Sequence, residues 1–471
     1  MVCCSALFMT LLDVSVTNVA LPSISRSLGS GPATLQWIVS GYTLAFGLVP
    51  VLAGRLGDDH GRRLMFIVGV AGFTVTSAMS GLAPTSGVLI AARVLQGLFG
   101  GLINPQVSGL VQVMFRGPER GRAFGFLGTT VGVGTALGPV VGGALIALGG
   151  PSFGWRLVFF VNVPVGVAVI ALARRWLPDD RSLGRHRLDV LGALVLGLAT
   201  WCVLFGAVEY DRHRDLRLAW LVLPAAVLAG LFFRREAALT RLARDPLVDL
   251  RLFRVPSYTA GVVLALVFFP AMAGLPLVLA IYYQQGLGYT ALQSALGVTA
   301  YALGSAIAAP LAGRYVVRIG RRLIVASVLT YAVGAVGLAV VASHDPGAHA
   351  ALWLAVPLFV MGCGGGGVIT PNQALTLMEV DPVAGSTAGG VLQTAQRIGL
   401  ALGQAVIGAA FFASIDHRTT GVARQDSYGH GLAVAVAVAI CFLTAALVVG
   451  ASDLASTRRK NRSAKTGGTP A

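Results

Sequence analysis

Charge is scarce in this chain. Only 11% of its 471 residues are Asp, Glu, Lys or Arg, against roughly 25% in a soluble protein, so most of the surface must face something other than water. Cysteine is sparse as well. Cys3, Cys4, Cys202, Cys363 and Cys441 lie almost entirely inside apolar segments without metal-ligand spacing, which excludes a disulfide framework and a metal centre. The seven histidines fall mostly in connectors and do not cluster. No phosphate-binding loop is present, and Gly364 to Gly367 sits inside an apolar run rather than between a strand and a helix. The chain therefore reads as neither an enzyme nor an ATP-driven machine, with no cofactor. The formal charge of +16 comes without basic runs interleaved with aromatics, so no nucleic-acid partner is expected.

What is present is apolar length. Hydrophobic residues make up 55% of the chain, and the mean hydropathy is +0.78. The 61 glycines and 21 prolines suit helices packed closely in lipid rather than disorder. Roughly 20 apolar residues cross a bilayer. Fourteen such stretches are expected, near 3–23, 36–56, 64–83, 87–112, 122–148, 155–176, 188–208, 217–234, 257–283, 291–313, 322–342, 351–378, 386–414 and 430–451. This predicts an all-α polytopic membrane protein with the lipid bilayer as its surroundings.

Arginine and lysine orient the bundle. Twenty-six lie in connectors after even-numbered stretches or in the tail, Arg181, Arg185, Arg187 and Arg244 among them. Seven lie on the other side: Arg26, Arg156, Arg212, Arg214, Arg217, Arg418 and Arg424. Arg93 and Arg397 fall within stretches. The richer side, and with it both termini, is expected to be cytoplasmic. Met1 to Met9 has no basic leader region and reads as the first membrane helix, cut short at its cytoplasmic end, as a start assigned too far downstream would leave it.

The sequence also repeats itself. Gly54-Arg-Leu-Gly-Asp-Asp-His-Gly-Arg-Arg63 joins two apolar stretches, and Gly313-Arg-Tyr-Val-Val-Arg-Ile-Gly-Arg-Arg322 joins two more. Gly100-Gly-Leu-Ile-Asn-Pro105 is echoed by Gly366-Gly-Val-Ile-Thr-Pro371. The expected organisation is a six-helix bundle over 1–176, a central two-helix insertion with basic flanks over 177–254, a second six-helix bundle over 255–452 and a basic tail over 453–471. Duplicated bundles of this kind carry binding sites at the repeat interface in many secondary transporters.

Several residues carry candidate chemistry. A carboxylate near the middle of a membrane helix costs about 2.5–3.5 kcal/mol on insertion scales, so Asp13 is the first candidate for binding and releasing a proton. The alternative is a structural carboxylate bonded to Thr17 or Asn18. Arg93, with Gly97 and Gly101 on the same helical face, either reaches a buried partner or snorkels to the cytoplasmic side. Gly54 and Gly57 permit close approach, while Asp58 can cap a helix N-terminus and pair with Arg62 or Arg63. With Gly61 these residues would form a conformational latch, one-sided because Val317 stands where the repeat would need an acid. A solvated, orientation-setting loop is the alternative. Gly134, Gly138 and Gly142, beside Pro139 and Gly143, form a stripe for tight helix packing. Asn18, Gln96, Gln393 and Arg397 are weaker candidates for a substrate cavity, with Gln396 on the same face. Trp37, Tyr42, Phe46, Tyr282 and Tyr301 either line a drug pocket or serve as packing and interfacial anchors. Glu209 and Glu379 sit near stretch ends and read as interfacial.

Four segments together resemble a known family. Gly54 to Arg63 is similar to the signature loop of the major facilitator superfamily. Leu12-Asp-Val-Ser-Val-Thr-Asn-Val-Ala-Leu-Pro22 resembles the first-helix motif of its fourteen-span drug:proton antiporters. Arg93-Val-Leu-Gln-Gly97 resembles their fourth-helix motif, and Gly134-Thr-Ala-Leu-Gly-Pro-Val-Val-Gly-Gly143 their fifth-helix antiporter motif. The resemblance implies a major-facilitator fold of two six-helix bundles plus two inserted helices. It implies export of a hydrophobic, cationic drug across the cytoplasmic membrane in exchange for protons, by alternating access. Under it, Arg93 tunes a proton site at Asp13, and the glycine stripe forms a seam on which two halves rock. A narrow exporter of one metabolite or self-made antibiotic is the nearest rival, and a non-transporting membrane sensor is the more distant one.

Overall fold

The computed structural model describes residues 1–179, 189–213, 220–242, 246–344, 350–416 and 421–466. Arg181, Arg185, Arg187, Arg214, Arg217, Arg244 and Arg418, counted above for orientation, lie outside the described residues, as does the side chain of Glu209.

The described residues are almost wholly helical, and a helix occupies each of the fourteen expected stretches. In chain order they are α1 (Val2–Leu28), α2 (Pro32–Leu48), α3 (Pro50–His60), α4 (Arg62–Leu82), α5 (Ser86–Met114), α6 (Gly117–Phe160), α7 (Asn162–Trp176) and α8 (Val190–His213). There follow α9 (Val222–Arg241), α10 (Pro256–Ile281), α11 (Ala291–Gly297), α12 (Thr299–Ile319), α13 (Arg321–Ser343), α14 (Ala350–Thr376), α15 (Gly385–Ala413) and α16 (Gly421–Thr466). Nine helices among the described residues are long and apolar enough to cross a membrane on their own. The pair α2 and α3, bent by 48° where Pro50 interrupts the ladder, makes a tenth. Breaks fall where glycine or proline permits them. Gly150, at φ 69°, turns the chain inside α6, between the fifth and sixth expected stretches. The expected tail is not a separate segment at its start, because α16 runs on to Thr466.

Two compact units emerge. One comprises Met1–Arg116, Thr129–Leu250 and Val380–Ile398; the other comprises Gly117–Gly128, Arg251–Glu379 and Gly399–Ala471. Small residues set the helix spacing inside each. In the first unit α5 lies on α2, and a Cβ added at Gly97 would come 2.3 Å from the carbonyl oxygen of Tyr42. In the second unit α14 lies on α12 in the same way, and a Cβ at Gly362 would come 2.1 Å from the carbonyl oxygen of Tyr301. The internal repeat is therefore a repeat of backbone contact. With no water to expel between lipid-immersed helices, such close packing is what holds them together. Many large side chains point outward, Val75, Leu148, Val167, Val333, Leu352 and Trp353 among them. Exposed apolar side chains in such number would be a liability in water and cost nothing against acyl chains.

Candidate functional site

The first unit contains a buried polar cluster built from four helices. Asp13 of α1 is 1% exposed, and its Oδ2 accepts from Arg93 Nη1 of α5 at 2.5 Å. Its Oδ1 accepts from Gln96 Nε2 at 2.9 Å and from Asn162 Nδ2, at the start of α7, at 2.8 Å. Arg93 Nη1 also donates to Gln96 Oε1 at 2.8 Å, and its Nε donates to the carbonyl of Ile38 at 3.4 Å. The guanidinium lies 4.2 Å above the ring of Tyr42. Asn162 donates further to Ser77 Oγ of α4 at 3.0 Å, and Ser77 donates to the Phe159 carbonyl at 2.8 Å. Asp13, Arg93, Gln96, Asn162 and Ser77 are thus each both buried and partnered, the condition under which charge survives in a low-dielectric interior.

The geometry shows where each of these side chains lies. Thr17 donates to the backbone carbonyl of Asp13 at 2.6 Å, not to its carboxylate. Asn18 is exposed on another face of α1. Arg93, 1% exposed, points into the cluster rather than snorkelling. Gln96, expected in a substrate cavity, is fully buried and clamps both Asp13 and Arg93. Asn162 and Ser77 were not anticipated. Asn162 is the one side-chain amide of its stretch, whereas Ser77 is one of four hydroxyl residues in its own, with Thr74, Thr76 and Ser80.

A second constellation in the same unit surrounds the signature loop. Asp58 Oδ1 accepts from Arg62 Nη2 at 2.7 Å and from the Ser386 amide at 3.1 Å, while Oδ2 accepts from the Thr387 amide at 2.8 Å and its hydroxyl at 2.7 Å. Ser386 and Thr387 open α15, so the carboxylate sits on the positive end of a helix. Arg62 also donates to Ser386 Oγ at 3.0 Å, to the Val383 carbonyl at 3.1 Å and to the Pro382 carbonyl. Arg63 reaches instead to the carbonyl of Arg174. Gly54 is required by proximity, since a Cβ there would lie 2.3 Å from the Ser386 carbonyl; at Gly57 it would lie 1.8 Å from Gln106 Oε1. Gly61 adopts φ 97°, a left-handed turn between α3 and α4. In the second unit the repeat's Arg321 finds its acid elsewhere, pairing with Asp453 of α16 at 2.7 Å.

The fifth-helix stripe packs on α1. Added Cβ atoms at Gly134, Gly138 and Gly142 would meet Leu11, Ser15 and Val16 at 3.2, 2.0 and 2.9 Å. Gly143 departs from the expectation, with nothing within 4 Å of its position. The side chain of Pro139 lies outside the described residues. An unanticipated second stripe, Gly121, Gly125 and Gly128, packs on Val316, Gly313 and Thr370 in the second unit. Gln393 is buried, and Arg397 of α15 is half-buried with its guanidinium 4.3 Å above the ring of Phe46.

The sequence profile described as Major Facilitator Superfamily matches residues 3–404. The chain belongs to that superfamily. It is accordingly a multi-pass membrane transport protein and not an enzyme. Among its curated relatives is a probable actinorhodin transporter of Streptomyces coelicolor, 36% identical over 88% of this chain and 72% of the relative. A puromycin resistance protein of Streptomyces alboniger is 34% identical over 94% of this chain and 88% of the relative. The solved proton:xylose symporter XylE superposes with a TM-score of 0.65 at 15% identity, covering 94% of this chain and 93% of that one, and shares the major-facilitator fold.

Proposed function

We propose that this protein exports an antibiotic- or drug-like small molecule across the cytoplasmic membrane by alternating access, with proton entry as the driving force and both termini in the cytoplasm. The reading takes all fourteen helical stretches as spans, since the positive-inside asymmetry needs an even count. The observation that carries it is the state of Asp13. It is the one carboxylate deep within an expected span among the described residues, and donors from α5 and α7 converge on it.

A proton arriving on Asp13 would cancel the ion pair with Arg93 and convert an acceptor-only group into a donor. Arg93 retains Gln96, the Ile38 carbonyl and the face of Tyr42 as partners. The four helices are thereby offered a second arrangement at one buried point. Asp58 on the α15 terminus is the second part, a latch that holds one conformation and releases in the other. The α6 stripe on α1 keeps that seam tight against ion leakage.

The resemblance added a cationic substrate, competing with the proton for Asp13. That version requires Asp13 to give up three donors to the drug. A narrow substrate range is the second reading, favoured by relatives named for single compounds, actinorhodin and puromycin.

The test is drug uptake into everted vesicles energised by a pH gradient. Asp13→Asn should abolish gradient-driven uptake while leaving the protein folded. Unchanged uptake by the variant would remove the proton role, and resistance assays against a chemically diverse toxin panel separate broad from narrow substrate range.

A further inference from the structure

We infer that Arg397 is a substrate-binding residue and that the exported compound is an aromatic anion, a flat ring system carrying a carboxylate or an acidic phenol. The inference rests on the export reading for its transport step, while its binding step stands without it.

Arg397 is the thirteenth residue of the 29-residue α15. At 1.5 Å per residue it lies about 18 Å along the helix, close to the middle of a hydrocarbon layer roughly 30 Å thick. An arginine side chain cannot snorkel out from that depth, and a cation there is costly unless something answers its charge. Among the described residues nothing does. Arg93 is neutralised by Asp13, whose two oxygens are already taken by Arg93, Gln96 and Asn162. Arg397 has only the face of Phe46, with no ion pair or hydrogen bond to a described residue. Among the described residues, the balance of deep charge in this unit is one cation in excess.

The groups around it fit a ring with polar substituents. Gln393, one turn earlier on α15, has a buried Oε1 without a hydrogen-bond partner among the described residues, and so has the hydroxyl of Tyr42. Tyr42 and Phe46 lie with ring centroids 5.8 Å apart. Leu204 of α8 is drawn against Gly47, whose added Cβ would come 2.4 Å from it and 4.0 Å from the Cβ of Arg397. Beyond Leu204, Trp201 stacks on Phe205 at 4.6 Å, and Phe205 meets Trp37 at 6.2 Å. A guanidinium on an aromatic floor holds an anion bidentately while the ring of the ligand lies along the same wall. An unanswered amide oxygen and phenol beside it would take hydrogen bonds from ligand hydroxyls.

The experiment uses the full chain in lipid nanodiscs, with binding read by quenching of tryptophan fluorescence. The probes are anthraquinone-2-carboxylate, the corresponding uncharged amide, and ethidium as an aromatic cation. Tenfold or tighter binding of the carboxylate over both others is expected. Arg397→Gln should erase that preference, and Arg397→Lys should keep part of it. Equal affinities across the three probes, or no measurable binding of the carboxylate, overturns the proposal, and this comparison needs no variant to fold. In proteoliposomes, an anion leaving against one entering proton carries two positive charges inward per cycle, so a potassium–valinomycin potential should accelerate it. A monovalent cation against one proton carries none. Carboxylate that binds with the expected preference but is never transported would sink the export reading and leave the site standing. Gradient-driven ethidium export that is indifferent to Arg397 would do the reverse.

Discussion

Asp58 and Thr387 are joined twice, the backbone amide and the hydroxyl of Thr387 donating to one carboxylate oxygen at 2.8 and 2.7 Å. The first acid of the signature loop thus closes the N-terminus of a helix more than three hundred residues away. Its charge interacts with the oriented amides of α15, so removing the charge should cost about 1–2 kcal/mol even if the shape is kept.

Asp58→Asn should therefore loosen the start of α15. In a chain freed of its five native cysteines, Ser386→Cys reports on that site, because Ser386 is fully buried. A cost of 1–2 kcal/mol predicts maleimide labelling roughly 5–30 times faster with Asp58→Asn than without it. Labelling at the same rate would show that the loop contact does not hold α15 in place.

The Asp13–Arg93 pair predicts strong coupling in a double-mutant cycle. Removing either partner alone strands a buried charge and should destabilise the protein by about 3–5 kcal/mol. Asp13→Asn with Arg93→Gln strands nothing, since Gln96 and Asn162 can turn their amides to meet either oxygen or nitrogen. Thermal unfolding in detergent should show the double variant melting above either single one. Additive losses would mean that the two side chains do not share one network.

Gly97 predicts a steric effect with a clear direction. Its missing side chain brings α5 against the backbone of α2, with Tyr42 O at 2.3 Å and Ala45 Cβ at 3.0 Å from an added Cβ. Gly97→Val must push α2 away, and with it the Tyr42 ring that supports Arg93. A fall in melting temperature together with loss of gradient-driven uptake is expected. Gly87, around which an added Cβ meets nothing, should accept valine with little effect on either measure.

How much of this could be read beforehand follows from what each feature depends on. The helical character of the apolar stretches is legible because a run of about 20 apolar residues has few other fates. Asp13 and Arg93 stand out because charge inside such a run is rare. The capacity of Asp58 to cap a helix was visible, but which helix was not: nothing local in Gly385-Ser-Thr387 marks it as the recipient. Asn162 was missed since one amide among apolar residues is ordinary, and its meaning comes only from α7 starting beside Asp13. Gly143 belongs to the motif, but helical rotation places it off the face shared by Gly138 and Gly142. Asp453 was unreadable as the partner of Arg321 because it replaces a residue that the repeat would have placed at 317.

Outside the expected spans, Glu236 gives a pH-dependent prediction. It lies two residues past the eighth apolar stretch, fully buried, and its Oε2 accepts the amide of Val248 at 3.1 Å. Burial pushes its carboxyl up to about 7, with Asp189 adding to the rise and Arg235 and the Val248 and Leu247 amides opposing it. A carboxyl raised in the folded state favours the protonated form, so its contribution to stability is fully present below the ordinary glutamate range near 4.5 and is lost as pH climbs through about 7. Wild-type protein should therefore melt a few degrees lower at pH 8 than at pH 5.5. Glu236→Gln, which mimics the protonated acid at every pH, should remove most of that difference by raising the melting temperature more at pH 8 than at pH 5.5. A melting profile from pH 4 to 8 that falls as pH approaches 7, and whose fall disappears in Glu236→Gln, assigns the transition to Glu236. An unchanged slope in the variant would assign it elsewhere.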